Sequence, residues 1–129
     1  MCLMDYNNVN YKKRVAYKVM TRNSDGDLTP LFRCSSGIVF KKGHRIHGVD
    51  SSDEYGGAYS EFHCDRICTY KNEKDAICLS RHLWLSTEVW KVNAFDIHFE
   101  GRNSISDYDV SYLSKSIELI KKVTQHEYN

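Results

Sequence analysis

One proline and seven glycines in 129 residues leave little chain-breaking material, and no low-complexity linker or internal repeat divides the sequence. A single globular domain over residues 13–129 is therefore expected, preceded by a polar, asparagine-rich arm over residues 1–12. Charge of one sign is also lacking. Lys and Arg total 18 against 17 Asp and Glu, a formal net charge of +1, so no global field draws the chain to nucleic acid or anionic lipid. No apolar run approaches the ~20 residues needed to cross a bilayer, so no membrane span is expected. Met1 to Asn8 has neither the basic region, the apolar stretch nor the cleavage site of a secretory signal. The expected location is cytoplasmic, where the five cysteines, an odd count, stand as reduced thiols.

Familiar catalytic signatures are missing too. The sequence holds no Gly-x-Ser-x-Gly, P-loop, Gly-x-Gly-x-x-Gly or His-Glu-x-x-His pattern, and the standard enzyme classes lose their usual warrant.

What is present is aromatic and β-branched. Nine tyrosines, five phenylalanines and two tryptophans favour pleated, half-buried surfaces. The expected class is α+β: a strand-rich single domain, built as an antiparallel sheet or small half-barrel, with one helix at about 73–84. Val15, Tyr17 and Val19 alternate onto one face of a first strand, and Asn23-Ser24-Asp25-Gly26-Asp27 follows as a turn. Leu28 to Cys34 and Gly37 to Phe40 read as short strands, Pro30 placing the first at a sheet edge. Residues 48–58, with Gly56-Gly57, form the longest expected loop, and Tyr59 to Cys64 a further strand.

Asn72 followed by Glu73 and Asp75 marks a helix start, with Asn72 as cap and Ala76, Leu79 and Leu83 as the apolar stripe. Trp90, Val92 and Ala94 alternate in one strand, and Ile97 and Phe99 in a second that closes at Gly101. The tail over 112–123 fits a helix or a strand. The strand, with Ile117 and Leu119 inward, is the preferred reading.

The order Tyr17-Lys18-Val19, Asp25-Gly26-Asp27-Leu28 with Leu31-Phe32, Phe62-His63-Cys64, Asp75-Ala76, Trp90-Lys91-Val92 and Ser116-Ile117-Glu118-Leu119 resembles a group of small, uncharacterised phage and bacterial domains. The likeness spans about residues 15–123, with Glu61 where the group has glycine. It implies a β-rich fold, a mobile-element setting and no catalytic residue. It also implies a partner that is a host protein or complex, defence systems such as CRISPR effectors among them, met in the host cytoplasm.

Three constellations could carry chemistry. Cys64-x3-Cys68-x9-Cys78-x3-His82 offers four ligands of the kind that zinc takes in a tetrahedron. The preferred alternative is packed thiols with a surface histidine and no cofactor, because free cysteine behaves as a small hydrophobe. His44 and His47 with Asp50 are a poorer pair, since i and i+3 point to opposite faces of a strand.

Lys41, Lys42, His44, Arg45 and His47 surround Gly43 and could seat a phosphate, the alternative being a solvated hairpin tip. Tyr55, Tyr59, Arg66, Tyr70, Arg81 and Trp84 are the residue types that dominate binding interfaces, although half of them could equally be core. The leading expectation is a non-catalytic binding protein using a surface within residues 41–84. A nucleotide-binding module stands second. An enzyme with a cross-strand site drawn from Glu61, His63 and Cys64 stands third.

Overall fold

Alternating polar and apolar residues dominate the sequence, and a strand satisfies that period by sending successive side chains to opposite sides. The computed structural model describes residues 3–31, 38–48, 62–63, 66–103 and 110–128. Within them the strands are β1 (Leu3–Arg22), β2 (Leu28–Pro30), β3 (Arg45–His47), β4 (Phe62–His63), β5 (Arg66–Tyr70), β6 (Thr87–Asn103) and β7 (Val110–His126), and α1 (Glu73–His82) is the helix between β5 and β6. All the strands join one antiparallel sheet, in the order β2-β1-β6-β7-β5-β4. β3 lies beside β7, and Tyr17 of β1 also pairs with Tyr70 of β5. The fold is therefore strand-rich α+β, as the aromatic composition leads one to expect. No helix of the described residues is long and apolar enough to cross a membrane.

Two apolar clusters occupy the two sides of the sheet. The inner one gathers Ala16, Met20, Leu28, Phe40, Ile67, Val92, Ala94, Ile97, Tyr112, Ile117 and Leu119. The outer one holds Val19, Cys68, Tyr70, Val89 and Leu113 under Ala76 and Leu79 of α1. Both sides of β1 are thus in use. Val19 is buried and Tyr17 half-buried against the helix side, but Val15, expected on the same apolar face, is 44% exposed. The alternate set, Ala16, Lys18 and Met20, is the deeper one. Lys18 is 1% exposed, and its Nζ donates to the Cys68 carbonyl at 3.0 Å and lies 6.0 Å from the Phe40 ring centroid.

The segment read as an arm differs from that reading. Residues 3–12 form the first part of β1, where Tyr6, Asn7 and Asn8 pair with Gly101, Glu100 and Phe99, and Val9 and Tyr11 pack against the inner core. Ladder hydrogen bonds come from the backbone, so asparagine side chains do not prevent them.

The two strands expected over 88–100 are one continuous β6. A distortion stands close to the expected boundary between them: Asp96 takes φ +54°, a left-handed conformation rare in non-glycine residues. Ile97 consequently joins Val92 and Ala94 in the inner cluster, although an unbroken two-residue period puts it opposite them. A second irregularity between Ile97 and Phe99 turns Phe99 back to the outer cluster, so these two side chains do not share a face.

The hairpin from β1 to β2 follows its turn chemistry. Gly26 has φ +86°, and the Asn23 side-chain oxygen accepts the amides of Asp25 and Asp27. β2 ends the sheet order, so Pro30 sits at an edge as expected. Gly37 to Phe40 contributes only the bridge Leu28–Phe40 within its described part. The tail is strand, with Ile117 fully buried and Leu119 4% exposed. Residues 49–58 of the expected loop and most of the Tyr59 to Cys64 strand lie outside the described residues.

α1 begins at Glu73 as expected but ends at His82, with Leu83 extended at ψ 146°. Asn72 does not cap it through its side chain, because its amide nitrogen donates to Asp75 Oδ2 at 3.3 Å instead.

Three substitutions test these assignments. Ile117→Ala is expected to lower unfolding free energy by about 2–5 kcal/mol, against a change within about 0.5 kcal/mol for Val15→Thr, in urea titrations. Thr69 Oγ1 is buried with no hydrogen-bond partner among the described residues, so Thr69→Val should raise stability by about 1 kcal/mol.

Candidate functional site

Where α1 stops, the chain presents its largest exposed aromatic side chain. Leu83 leaves the helix extended and half-buried, and Trp84 and Leu85, at 85% and 37% exposure, project beyond it. Arg81 and His82 in the last turn are exposed as well, the Arg81 charge suiting the negative end of the helix dipole. A groove of about 530 Å³ runs along the same helix, lined by Glu73, Lys74, Ile77, Cys78, Arg81 and His82.

The remaining residues of the expected interface divide. Tyr70 is 1% exposed and belongs to the outer core, so it is corrected from contact residue to core residue. The reason is tertiary: β5 lies between β7 and a bridge to β1, and α1 covers that side. Arg66 is half-buried, its guanidinium donating to His98 Nδ1 at 2.9 Å and lying 5.3 Å from the Phe99 ring centroid. It serves as a brace for the sheet. Tyr55 and Tyr59 lie outside the described residues, as do the side chains of Glu61, His63 and Cys64.

The cysteine and histidine series is split by burial. Cys68 is 1% exposed in the outer core, whereas Cys78 and His82 are exposed on α1. Helical i, i+4 spacing brings Cys78 Sγ to 3.8 Å from His82 Nδ1, and the same Nδ1–H donates to the Cys78 carbonyl at 2.7 Å. The zinc alternative keeps one coherent pair, and among the described residues no three His, Cys, Asp or Glu side chains converge.

Lys41, Lys42, His44, Arg45 and His47 are all exposed. Gly43, at φ +86°, closes a turn in which the His44 amide donates to the Lys41 carbonyl at 3.2 Å. β3 then carries Arg45 and His47 on one side and half-buried Ile46 on the other, and the Arg45 guanidinium lies 3.6 Å from the Phe95 ring centroid. Phe95 was absent from the sequence reading, since nothing local tells that residue 95 adjoins residue 45.

A polar cleft of about 370 Å³ at the end of the sheet is lined by Arg22, Ser86, Thr87, Glu88, Lys122 and Gln125. Its polar groups are mutually engaged. Arg22 Nε and Nη2 donate to Glu88 at 2.7 and 3.0 Å, and the Trp90 indole donates to the same carboxylate at 3.0 Å. Ser86 Oγ accepts the Tyr128 amide at 3.0 Å, and Thr87 Oγ1 donates to the Ser80 carbonyl at 3.4 Å. Searches of protein-family models, of curated proteins and of solved structures find no match to this chain.

The cleft carries a pH dependence of stability. The Arg22 hydrogen bonds, aided by the Trp90 indole and against the cost of burial, hold the Glu88 carboxyl below its ordinary range. A depressed folded-state value means that the folded chain binds the proton more weakly than the unfolded chain. The contribution is full above the unfolded carboxyl value of about 4.3 and fades as pH falls through the folded value. Urea titrations over an acid pH series should show wild type losing its advantage over Glu88→Gln below that point.

Proposed function

We propose that this chain is a non-catalytic binding protein that engages a macromolecular partner through the C-terminal end of α1. The observation that carries the reading is Trp84, 85% exposed beside partly exposed Leu85 and exposed Arg81. A large aromatic ring left in water forgoes the burial of roughly 150–250 Å² that such a side chain reaches when covered. Tryptophan and arginine are also the types most often found at the energetic centres of interfaces. The groove along α1 adds a concave neighbour to that protruding ring.

The resemblance to small phage and bacterial domains supports a host protein or complex as the partner, met in the host cytoplasm, with defence systems such as CRISPR effectors among the candidates. On the fold, the Tyr17–Tyr70 pair that links β1 back to β5 supports reading the sheet as a small half-barrel. A rigid, curved support of that kind suits a protein whose work is presentation of a surface. A second reading, a module that takes phosphate at residues 41–47, is favoured by the exposure of all five cationic or imidazole side chains there and by the stacking of Arg45 on Phe95.

Quantitative capture of partner from host lysate tests the first reading. Trp84→Ala should reduce the captured amount at least about tenfold, as expected for a residue worth about 2 kcal/mol. Its melting temperature should stay close to wild type, since the ring touches little of the core. Equal capture by both proteins would remove the helix end from consideration.

A further inference from the structure

Strand register assembles a second surface that no local motif reveals. Lys13 pairs with Phe95, Phe95 with Ser116, and Ser116 with His47, a row across β1, β6, β7 and β3. The next row on the same side is Val15, Asn93, Glu118 and Arg45. Directly paired residues share a face, so these side chains stand together on the outer side of the sheet. Lys91, opposite Lys121, extends the patch one row further.

α1 covers Val19, Val89 and Leu113 of that side, while Lys13, Val15, Arg45, His47 and Lys121 remain exposed. None of Lys13, Arg45, Lys91 and Lys121 is in an ion pair among the described residues. The acidic side chain within these rows is half-buried Glu118, and the Lys41 to His44 turn adds two lysines and an imidazole directly before β3. The formal net charge of +1 is a sum over the whole chain and does not report this local arrangement.

Phe95 occupies the middle of the patch, with the Arg45 guanidinium 3.6 Å and the Lys13 ammonium 5.9 Å from its ring centroid. At 3.6 Å from the centroid the guanidinium carbon must sit over the face of the ring, and a base can add to such a cation–aromatic pair by stacking. With strands about 4.8 Å apart, the row from Lys13 to His47 is about 14 Å long, more than a single phosphate occupies.

We infer that this outer sheet face is a binding site for single-stranded nucleic acid. The backbone runs across the strands over Lys13, Arg45, His47 and the 41–44 turn, and a base stacks on the Arg45–Phe95 pair. The charge satisfies the phosphates, and the Arg45–Phe95 pair favours a nucleic acid over a peptide of acidic side chains alone, which has no aromatic ring to stack. Duplex has its bases turned inward and loses the stacking contribution. The site is separate from the α1 end, so loss of either leaves the other reading standing.

Fluorescence anisotropy with a labelled oligothymidylate, using the full chain, tests the assignment. Binding is expected, falling as salt rises, and stronger for the single strand than for a duplex of equal length or for polyglutamate. The double variant Lys13→Glu/Arg45→Glu should weaken it at least about tenfold and reduce the salt slope by about 0.7 for each phosphate no longer neutralised. Arg14→Glu, exposed on the inner side of β1 where it pairs with Ala94, makes a charge reversal away from the outer face and should change affinity less than about twofold if contact rather than net charge decides. Ultraviolet crosslinking of a thiothymidine-containing oligonucleotide to the unmutated protein should label peptides containing Lys13, Arg45 or Phe95, a readout that does not depend on the variants folding. No binding at low salt, tighter binding of duplex or polyglutamate, equal loss in Arg14→Glu, or crosslinks confined to α1 would each overturn the inference.

Discussion

The backbone ladder along β6 is the constraint from which the rest of the structure follows. β6 is bonded to β1 on one side and β7 on the other along most of its length, and from Lys13 to Met20 the pairing with β1 runs without interruption. Slippage by one residue would exchange Ala16, Lys18 and Met20 for Tyr17 and Val19 and place both sets on the wrong side. Apolar burial on two sides enforces one register, because Val92 and Ala94 fill the inner cluster while Val89 meets α1. Lys18 is carried inward by the same pairing, and its ammonium is accommodated by the Cys68 carbonyl and the Phe40 ring.

Irregularities in the ladder then decide what the surface offers. Beyond Phe95 the two-residue period breaks at Asp96, and again between Ile97 and Phe99. Phe95 is thereby left among cations on the outer side, while Ile97 is fully buried two positions later. A β-bulge re-aims side chains without ending a strand, which is why β6 stays continuous through both irregularities. The outer face is consequently divided in two: one part lies under α1, and the other carries the exposed side chains of Lys13, Arg45, His47 and Lys121.

Two surfaces of different chemistry result. At the end of α1 an exposed tryptophan and leucine suit an apolar, desolvating contact, whereas the open sheet face offers charge with one stacked ring pair. Neither borrows residues from the other. The Arg22–Glu88 cleft differs from both, since its charges are neutralised internally and contribute to the stability of the sheet end.

Local pattern in the amino-acid sequence determined the strand-rich class, the Gly26 turn, Pro30 at an edge and the helix start at Glu73, whereas over 112–123 it fitted a helix nearly as well as the strand with Ile117 and Leu119 inward. Each rests on a short-range rule of period, turn conformation or a missing donor, which neighbours in the chain suffice to express. Legibility was poorer for the sites: the sequence singled out Arg81, Trp84 and the 41–47 cations, but it could not separate buried Tyr70 from exposed Trp84, both aromatic and both beside a helix end. Only the tertiary structure decided that Tyr70 is core, that residues 3–12 extend a strand, that Lys18 points inward, and that Lys13, Phe95 and Arg45 meet. Those outcomes depend on register between segments tens of residues apart, and register is selected by burial on both sides of the sheet at once, a property that no single stretch of chain possesses.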